Sequence, residues 1–477
     1  APRRALTAAL NASIVGAIVH LVAAVKRSMA ALAIEAPLMI VKGDGALADA
    51  GVIVEKPIET ILSGPAASVI GARFLSGLAD FVISDIGGTT TDVAMVAGGW
   101  PKLNREGAVV GSHRTLVRAI DMHTIGLGGD SEVEIDATGK VALARTRQVP
   151  LALIGARWPE TIAQMRLMLD DPEASSHGGR FALRPIGADA TQLPADLDGQ
   201  EREALTRIGG EPVAMHKLPQ SPSFRRALGR LAARGLVQFA GYTPSDAAHV
   251  LGLQGQWSRQ AAELGGQLLV KSRRMLKMDE REAVGEAFAA EVFDAVAAAS
   301  CQVVLETVAG ETLPADNPLM AAVISGRGAI GRLGVGLTPQ VPLVGVGGPA
   351  AVFYPEVARR LGCALHVPEN AGVANAVGAA VGVVRTRATV EISTNGAGLY
   401  RIHHAGAPVD LVNPTEALDR ARAIAIEEAT ARARADGAEA SADLAVEVHT
   451  DRIDVPDARD DTGLIAATVI AECRAGG

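Results

Sequence analysis

Aromatic residues are scarce: three Trp, three Tyr and eight Phe make up 3% of the 477 residues. With so few large rings, any core has to be built from Ala, Val, Leu and Ile. Cysteine is nearly absent as well. Cys301, Cys363 and Cys473 lie far apart with no metal-type spacing, which fits a reduced, cytoplasmic protein. No strong basic run is present and the formal net charge is −8, so nucleic acid is not an expected partner. No signal-peptide pattern opens the chain. The apolar run over residues 14–25 is interrupted by His20 and is too short to span a bilayer, so no membrane partner is expected either.

What the chain has in quantity is aliphatic and glycine residues. Hydrophobic residues reach 48%, enough for sizeable cores, and the length predicts two to four domains. The 52 glycines cluster in short groups flanked by apolar runs, which marks tight turns rather than linkers.

The most informative stretch is Phe81-Val82-Ile83-Ser84-Asp85-Ile86-Gly87-Gly88-Thr89-Thr90-Thr91-Asp92-Val93-Ala94-Met95-Val96. Apolar strands flank a Gly-Gly-Thr-Thr-Thr tip, with an acid at each shoulder. Glycines let a ligand approach the backbone, bare amides and hydroxyls suit phosphate oxygens, and an Asp at a strand end suits Mg²⁺ carried by a nucleotide. An ordinary hairpin with a polar turn is the plainer reading.

Around it, spacings of three and four predict a long amphipathic helix over residues 4–34. Ser63-Gly64-Pro65 starts a small-residue helix over 66–75, and a similar Gly/Ala-rich helix is predicted over 371–384. A second Gly-rich turn, Gly126-Leu127-Gly128-Gly129-Asp130, can also face phosphates. Thr243-Pro244-Ser245-Asp246 caps a helix carrying His249. A strand over 341–344 runs into Gly345-Val346-Gly347-Gly348-Pro349, which reads either as a nucleoside platform or as a plain strand-to-helix turn. A turn is expected at Asn395-Gly396. The spacing of Asp121 and His123 places both on one strand face. With His249 they suit a second divalent metal, or each is simply structural.

Together the hairpin, the later GVGGPA turn and the two small-residue helices resemble the ribonuclease-H-like actin/sugar-kinase/Hsp70 ATPase architecture. Ile61-Leu62-Ser63-Gly64-Pro65-Ala66-Ala67, the 85–93 hairpin, residues 121–126, residues 243–252, residues 345–350 and residues 367–379 narrow the resemblance. They are similar to the hydantoinase A/5-oxoprolinase family. The implied fold is α/β, with an incomplete first lobe, an α-rich insertion and a small C-terminal α+β module. The implied division is residues 1–76 as the end of lobe one and 77–145 as the phosphate hairpin of lobe two. Residues 146–240 are the insertion, 241–385 the adenosine motif and hinge helix of lobe two, and 386–477 the C-terminal module.

The resemblance also implies chemistry. ATP phosphorylates the carbonyl oxygen of a cyclic amide of the hydantoin or 5-oxoproline type and so makes it a leaving group, with a B-type subunit as partner. Asp85 would hold the Mg²⁺ shell, and Gly87, Gly88, Thr89, Thr90 and Thr91 would contact phosphates, with Gly126, Gly128 and Gly129 as a second phosphate turn. Asp92 would orient water or metal, or cap the hairpin. Gly345, Gly347 and Gly348 would let the nucleoside lie flat. This chain departs from the family in carrying one such hairpin where two are usual, and in placing Asp130 where a third glycine is usual. The expectation is an N-terminal part removed or lost. A ketone-carboxylase ATP-binding subunit, a reactivase-like ATPase and an inactive truncated remnant are the alternatives.

Overall fold

Apolar runs on either side of the Gly/Thr turn fold as the antiparallel strands Phe81–Ile86 and Thr91–Ala97. Val82, Ile83, Val93, Ala94 and Val96 are almost wholly buried, so water cannot compete for the ladder. Strand Leu343–Val346 pairs parallel with Phe81–Ile86, and Leu365–His366 pairs parallel with Leu343–Val346. Met122–Ile125 adds antiparallel to Thr91–Ala97. Helices Arg281–Ala309 and Ala350–Leu361 cover this mixed sheet, contributing Val296, Val304, Phe353 and Val357 to its core.

The computed structural model describes residues 2–104, 106–111, 113–189, 193–273, 281–394, 398–439, 444–454 and 464–475. The expected turn at Asn395-Gly396 lies outside them. The architecture is mixed α/β. The chain packs as two units, each assembled from separated stretches: Leu75–Gly99 with Met122–Ala374, the hairpin unit, and Ala1–Phe74 with Trp100–Asp121 and Asn375–Gly477, the terminal unit.

Besides the hairpin sheet, the hairpin unit has a second core around Leu151, Ile154, Met165, Phe181, Leu268 and Val292. Helices Gly199–Ile208 and Pro222–Ala233 form a third around Leu205, Phe224 and Leu231.

In the terminal unit, five antiparallel strands run in the spatial order Val409–Leu411, Tyr400–His403, Arg385–Thr394, Leu464–Ala475, Leu444–Asp454. Helix Pro414–Ala435, capped by Asn413, packs on this sheet through Ala417, Ala421, Ala425, Ala429 and Ala433. That alanine stripe, spaced by four, lets the helix axis come close to the sheet. The two small-residue helices also meet closely. A Cβ on Gly378 would lie 1.8 Å from the Ala67 carbonyl oxygen, so only hydrogen fits there.

The N-terminal helix, Pro2–Ala31, is present but hardly amphipathic in use: Val22 is its one buried residue. Leu10 and Ile14 rest against Ile58, Ala108, Val117 and Ala119, and the Asn11 side chain accepts the Ile58 N–H at 3.0 Å. The run over 14–25 lies within this longer helix, which is long and apolar enough to cross a membrane, as is Gly285–Ala309, a stretch more than half buried.

Candidate nucleotide site

The hairpin tip is a set of unengaged donors. The Gly87 N–H donates to the Thr90 carbonyl at 2.9 Å and closes the turn. Among the described residues, the N–H groups of Gly88, Thr89 and Thr90 donate to no protein acceptor, and the hydroxyls of Thr89 and Thr90 make no hydrogen bond. Thr89 is half-buried and Thr90 exposed. Three amides and two hydroxyls on one turn are a donor set of the kind that suits an anion. Thr91 does not join them. It is wholly buried and its hydroxyl donates to the Leu127 carbonyl at 2.8 Å, so the expected phosphate contact from Thr91 is corrected to a structural one.

The second glycine turn braces the first. The Gly129 N–H donates to the Gly87 carbonyl at 3.0 Å, and the Asp130 N–H to the Gly88 carbonyl at 2.7 Å. The Gly128 N–H donates to the Ser131 hydroxyl at 2.9 Å. A Cβ on Gly128 would fall 2.3 Å from the Gly88 backbone carbon, and one on Gly129 would meet Pro349 and Ser245 at 2.9 Å. The N–H groups of Gly129 and Asp130 therefore hold the hairpin, and that of Gly128 is engaged within its own turn by Ser131. The Cβ direction of Gly126 is filled by the Arg145 side chain, at 2.5 Å.

The three glycines of the 345–348 turn have three different duties. Gly345 is buried, and an added Cβ would strike the Tyr354 ring at 2.5 Å. It makes room for Tyr354, whose hydroxyl bonds the Ser84 hydroxyl at 2.5 Å, and its expected contact with a nucleoside is corrected accordingly. Gly347 has φ +94°, and its missing Cβ would lie 2.0 Å from the Ile86 oxygen and 2.8 Å from Asp85 Oδ1. Only glycine brings this turn against the end of strand Phe81–Ile86. Gly348 is exposed with open space where its side chain would be. Of the three, Gly348 is the one that presents bare backbone outward.

Asp85 and Asp92 sit directly opposite in the hairpin register. Burial raises the Asp92 carboxyl above the usual range, the Thr124 hydroxyl at 2.6 Å opposes that, and the Asp85 charge adds to the rise. Two carboxylates facing each other favour either a shared proton or a cation. Asp130, also raised by burial, is held by the Arg147 guanidinium at 3.1 Å and fills the space beside Gly88.

The expected second metal group does not assemble. His249 is fully buried, its Nδ1 donating to the Ser245 carbonyl at 2.7 Å and its Nε2 accepting the Trp257 N–H at 3.2 Å. Its ring also stacks on Trp257 at 5.3 Å, leaving no lone pair for a metal. His123 bonds Thr307 at 3.0 Å through Nδ1. Asp121 lies just outside strand Met122–Ile125, accepts from Asn104 at 3.1 Å and pairs with Lys102 at 3.6 Å. Among the described residues no group of three or more His, Cys, Asp or Glu forms a metal cluster.

Two neighbours of the site escaped sequence reasoning. Ser245 borders Gly129, and its signal is concealed within a helix cap. Asp246 is wholly buried and caps helix Pro244–Val250. It also accepts the Leu151 and Ala152 N–H groups at 3.1 and 2.6 Å, tying in helix Leu151–Arg157. Nothing local in the sequence pairs residue 246 with residue 151. Burial pushes the Asp246 carboxyl up to about 7, against the opposing pull of those hydrogen bonds.

The hairpin and the braced second turn fall within one segment that matches a family model. Residues 4–149 match the hydantoinase/oxoprolinase family. The matched segment contains Asp85 through Asp130 and ends before Ser245 and the 345–349 turn. A search of curated proteins gives no match. Among solved structures, nucleotide-free acetone carboxylase is 15% identical with a TM-score of 0.53, covering 92% of this chain and 53% of that one. ATP-dependent caprolactamase from Pseudomonas jessenii is 14% identical with a TM-score of 0.48, at the same coverages. The chain spans about half the length of either structure.

Proposed function

We propose that the hairpin unit is the nucleotide-binding part of an ATP-dependent enzyme that opens a cyclic amide. The observation that carries this is the hairpin tip. Free N–H groups on Gly88, Thr89 and Thr90 and free hydroxyls on Thr89 and Thr90 stand beside the Asp85 and Asp92 carboxylates. These residues fit Mg·ATP. The tip amides suit phosphate oxygens, Asp85 at its strand end suits the shell of the magnesium ion, and Gly348 offers open backbone to the nucleoside. Bound there, the metal neutralises phosphate charge. The chain's own part is to position: Gly347 fixes the distance between the two turns, while Gly129 and Asp130 hold the tip rigid.

The hydantoinase/oxoprolinase match supports an amide substrate of the hydantoin or 5-oxoproline type and a B-type partner subunit. A ketone substrate is the second reading, favoured by the fold shared with acetone carboxylase. The actin/Hsp70-type lobes, their boundaries and a cytoplasmic setting belong to the same proposal.

The test is calorimetric titration of Mg·ATP into the chain, with Asp85→Ala as control. Saturable binding lost in the variant is expected. No binding, or binding indifferent to Asp85, would overturn the reading. ATP turnover stimulated by a lactam or by a ketone, assayed with a B-type subunit present, then separates the two substrates.

A further inference from the structure

A cavity of about 790 Å³ lies wholly within the terminal unit. Its wall carries Arg118, Arg385, Arg387 and Arg432, and its volume suits a small organic molecule. Arg385 and Arg387 are two apart on strand Arg385–Thr394 and so share one face. Both turn to a single carboxylate on the paired strand: Arg385 is ion-paired with Glu472, and Arg387 lies 3.9 Å from it. Arg432 pairs with Glu428 at 3.2 Å and donates to the Arg387 carbonyl at 2.8 Å. Arg118 makes no hydrogen bond or ion pair among the described residues. Lys42, also on the wall, is already matched by Asp436 at 3.2 Å and Glu59 at 3.9 Å, so the unmatched positive charge collects at the arginine end.

Two further observations point to an anion as the ligand. Arg387 Nε is buried with no partner, and a buried guanidinium N–H without an acceptor is costly. Arg118 is exposed on the wall; partial desolvation and the neighbouring Arg387 charge lower its guanidinium below its usual range, against the opposing charges of Asp44 and Glu472. Arg385 is held in place from two sides, by Glu472 and by the Trp100 ring 4.2 Å below its guanidinium. A clamp fixed beforehand loses little freedom when a ligand arrives. The planar guanidinium fork matches oxyanions in particular.

We infer that this cavity binds a small organic oxyanion, a carboxylate or a phosphate monoester, through Arg118 and Arg387. The inference goes beyond the nucleotide reading and does not rest on it, since every residue used belongs to the terminal unit. The experiment is calorimetric titration of the full chain with succinate and, separately, with inorganic phosphate, against a chloride background. Saturable binding of at least one is expected, weakened roughly tenfold or more by Arg118→Gln and by Arg387→Gln. Arg401→Gln, which removes the Arg401–Asp410 pair outside the cavity wall, should leave it unchanged. Binding of succinate alone assigns a carboxylate ligand, and binding of phosphate alone a phosphate monoester. Absence of saturable binding by both, or binding unaltered in Arg118→Gln, would overturn the inference. Arg118 contributes no hydrogen bond or ion pair to the fold, so its variant stays informative even if Arg387→Gln fails to fold.

Discussion

Gly347 and Gly348 are chain neighbours with opposite tolerances. Gly347→Ala forces a methyl to within 2.0 Å of the Ile86 oxygen at φ +94°. It should cost at least about 2 kcal/mol and lower the melting temperature. Gly348→Ala meets open space and should stay within about 0.5 kcal/mol of the parent protein. If the nucleoside lies on this turn, Gly348→Ala nonetheless weakens Mg·ATP several-fold by calorimetry. A stable variant that binds Mg·ATP with full affinity would remove Gly348 from the site. The sequence makes both residues visible as one motif and conceals their division of labour, because Ile86 approaches Gly347 from elsewhere in the chain while nothing approaches the side-chain position of Gly348. The same holds for Thr91, which looks identical to Thr89 and Thr90 until the Leu127 carbonyl is placed beside it.

At the scale of elements, Asp246 joins the starts of two helices. Asp246→Asn replaces an acceptor of four donors by a group with one acceptor oxygen, so roughly 1–3 kcal/mol of unfolding free energy should be lost. The pH dependence has a definite sign. A carboxyl at about 7 in the folded chain, against about 3.9 unfolded, makes the native state bind the extra proton between those values. Its contribution to stability is therefore fullest below the unfolded value, declines as pH rises towards 7, and is level above. Asn does not titrate, so the deficit of the variant should be larger at pH 5 than at pH 8 in denaturant titrations. A deficit that is level between pH 5 and pH 8 would mean that Asp246 is ionised in the folded protein throughout. Local pattern revealed Thr243 as a cap but gave no hint of this second helix. Likewise, His249 at a cap suggested chemistry, and only packing against Trp257 shows that both ring nitrogens are engaged.

Over the whole molecule, the hairpin was legible because its strands, turn and acids are contiguous. The arginine cavity was not, because its wall is drawn from residues near 118, 385, 432 and 472, with no shared spacing. The units are likewise interleaved along the chain, which a linear scan of composition cannot detect. Their separate cores give a prediction for hydrogen exchange. Mg·ATP should slow amide exchange at residues 88–90 and 347–348 and leave strands Leu444–Asp454 and Leu464–Ala475 at their ligand-free rates. Protection confined to those two strands would place the nucleotide in the wrong unit.

Trp100 is one of only three tryptophans, and Arg73, Arg385 and Arg474 stand 5.0, 4.2 and 4.8 Å from its ring centre. An indole enclosed by cations has its excited state tuned by their positions. Replacing Trp158 and Trp257 by Phe would leave one fluorophore, in contact with an arginine of the cavity wall. Its emission then becomes an optical gauge of the terminal unit, which shifts when Arg385 moves and is read at concentrations far below those calorimetry requires.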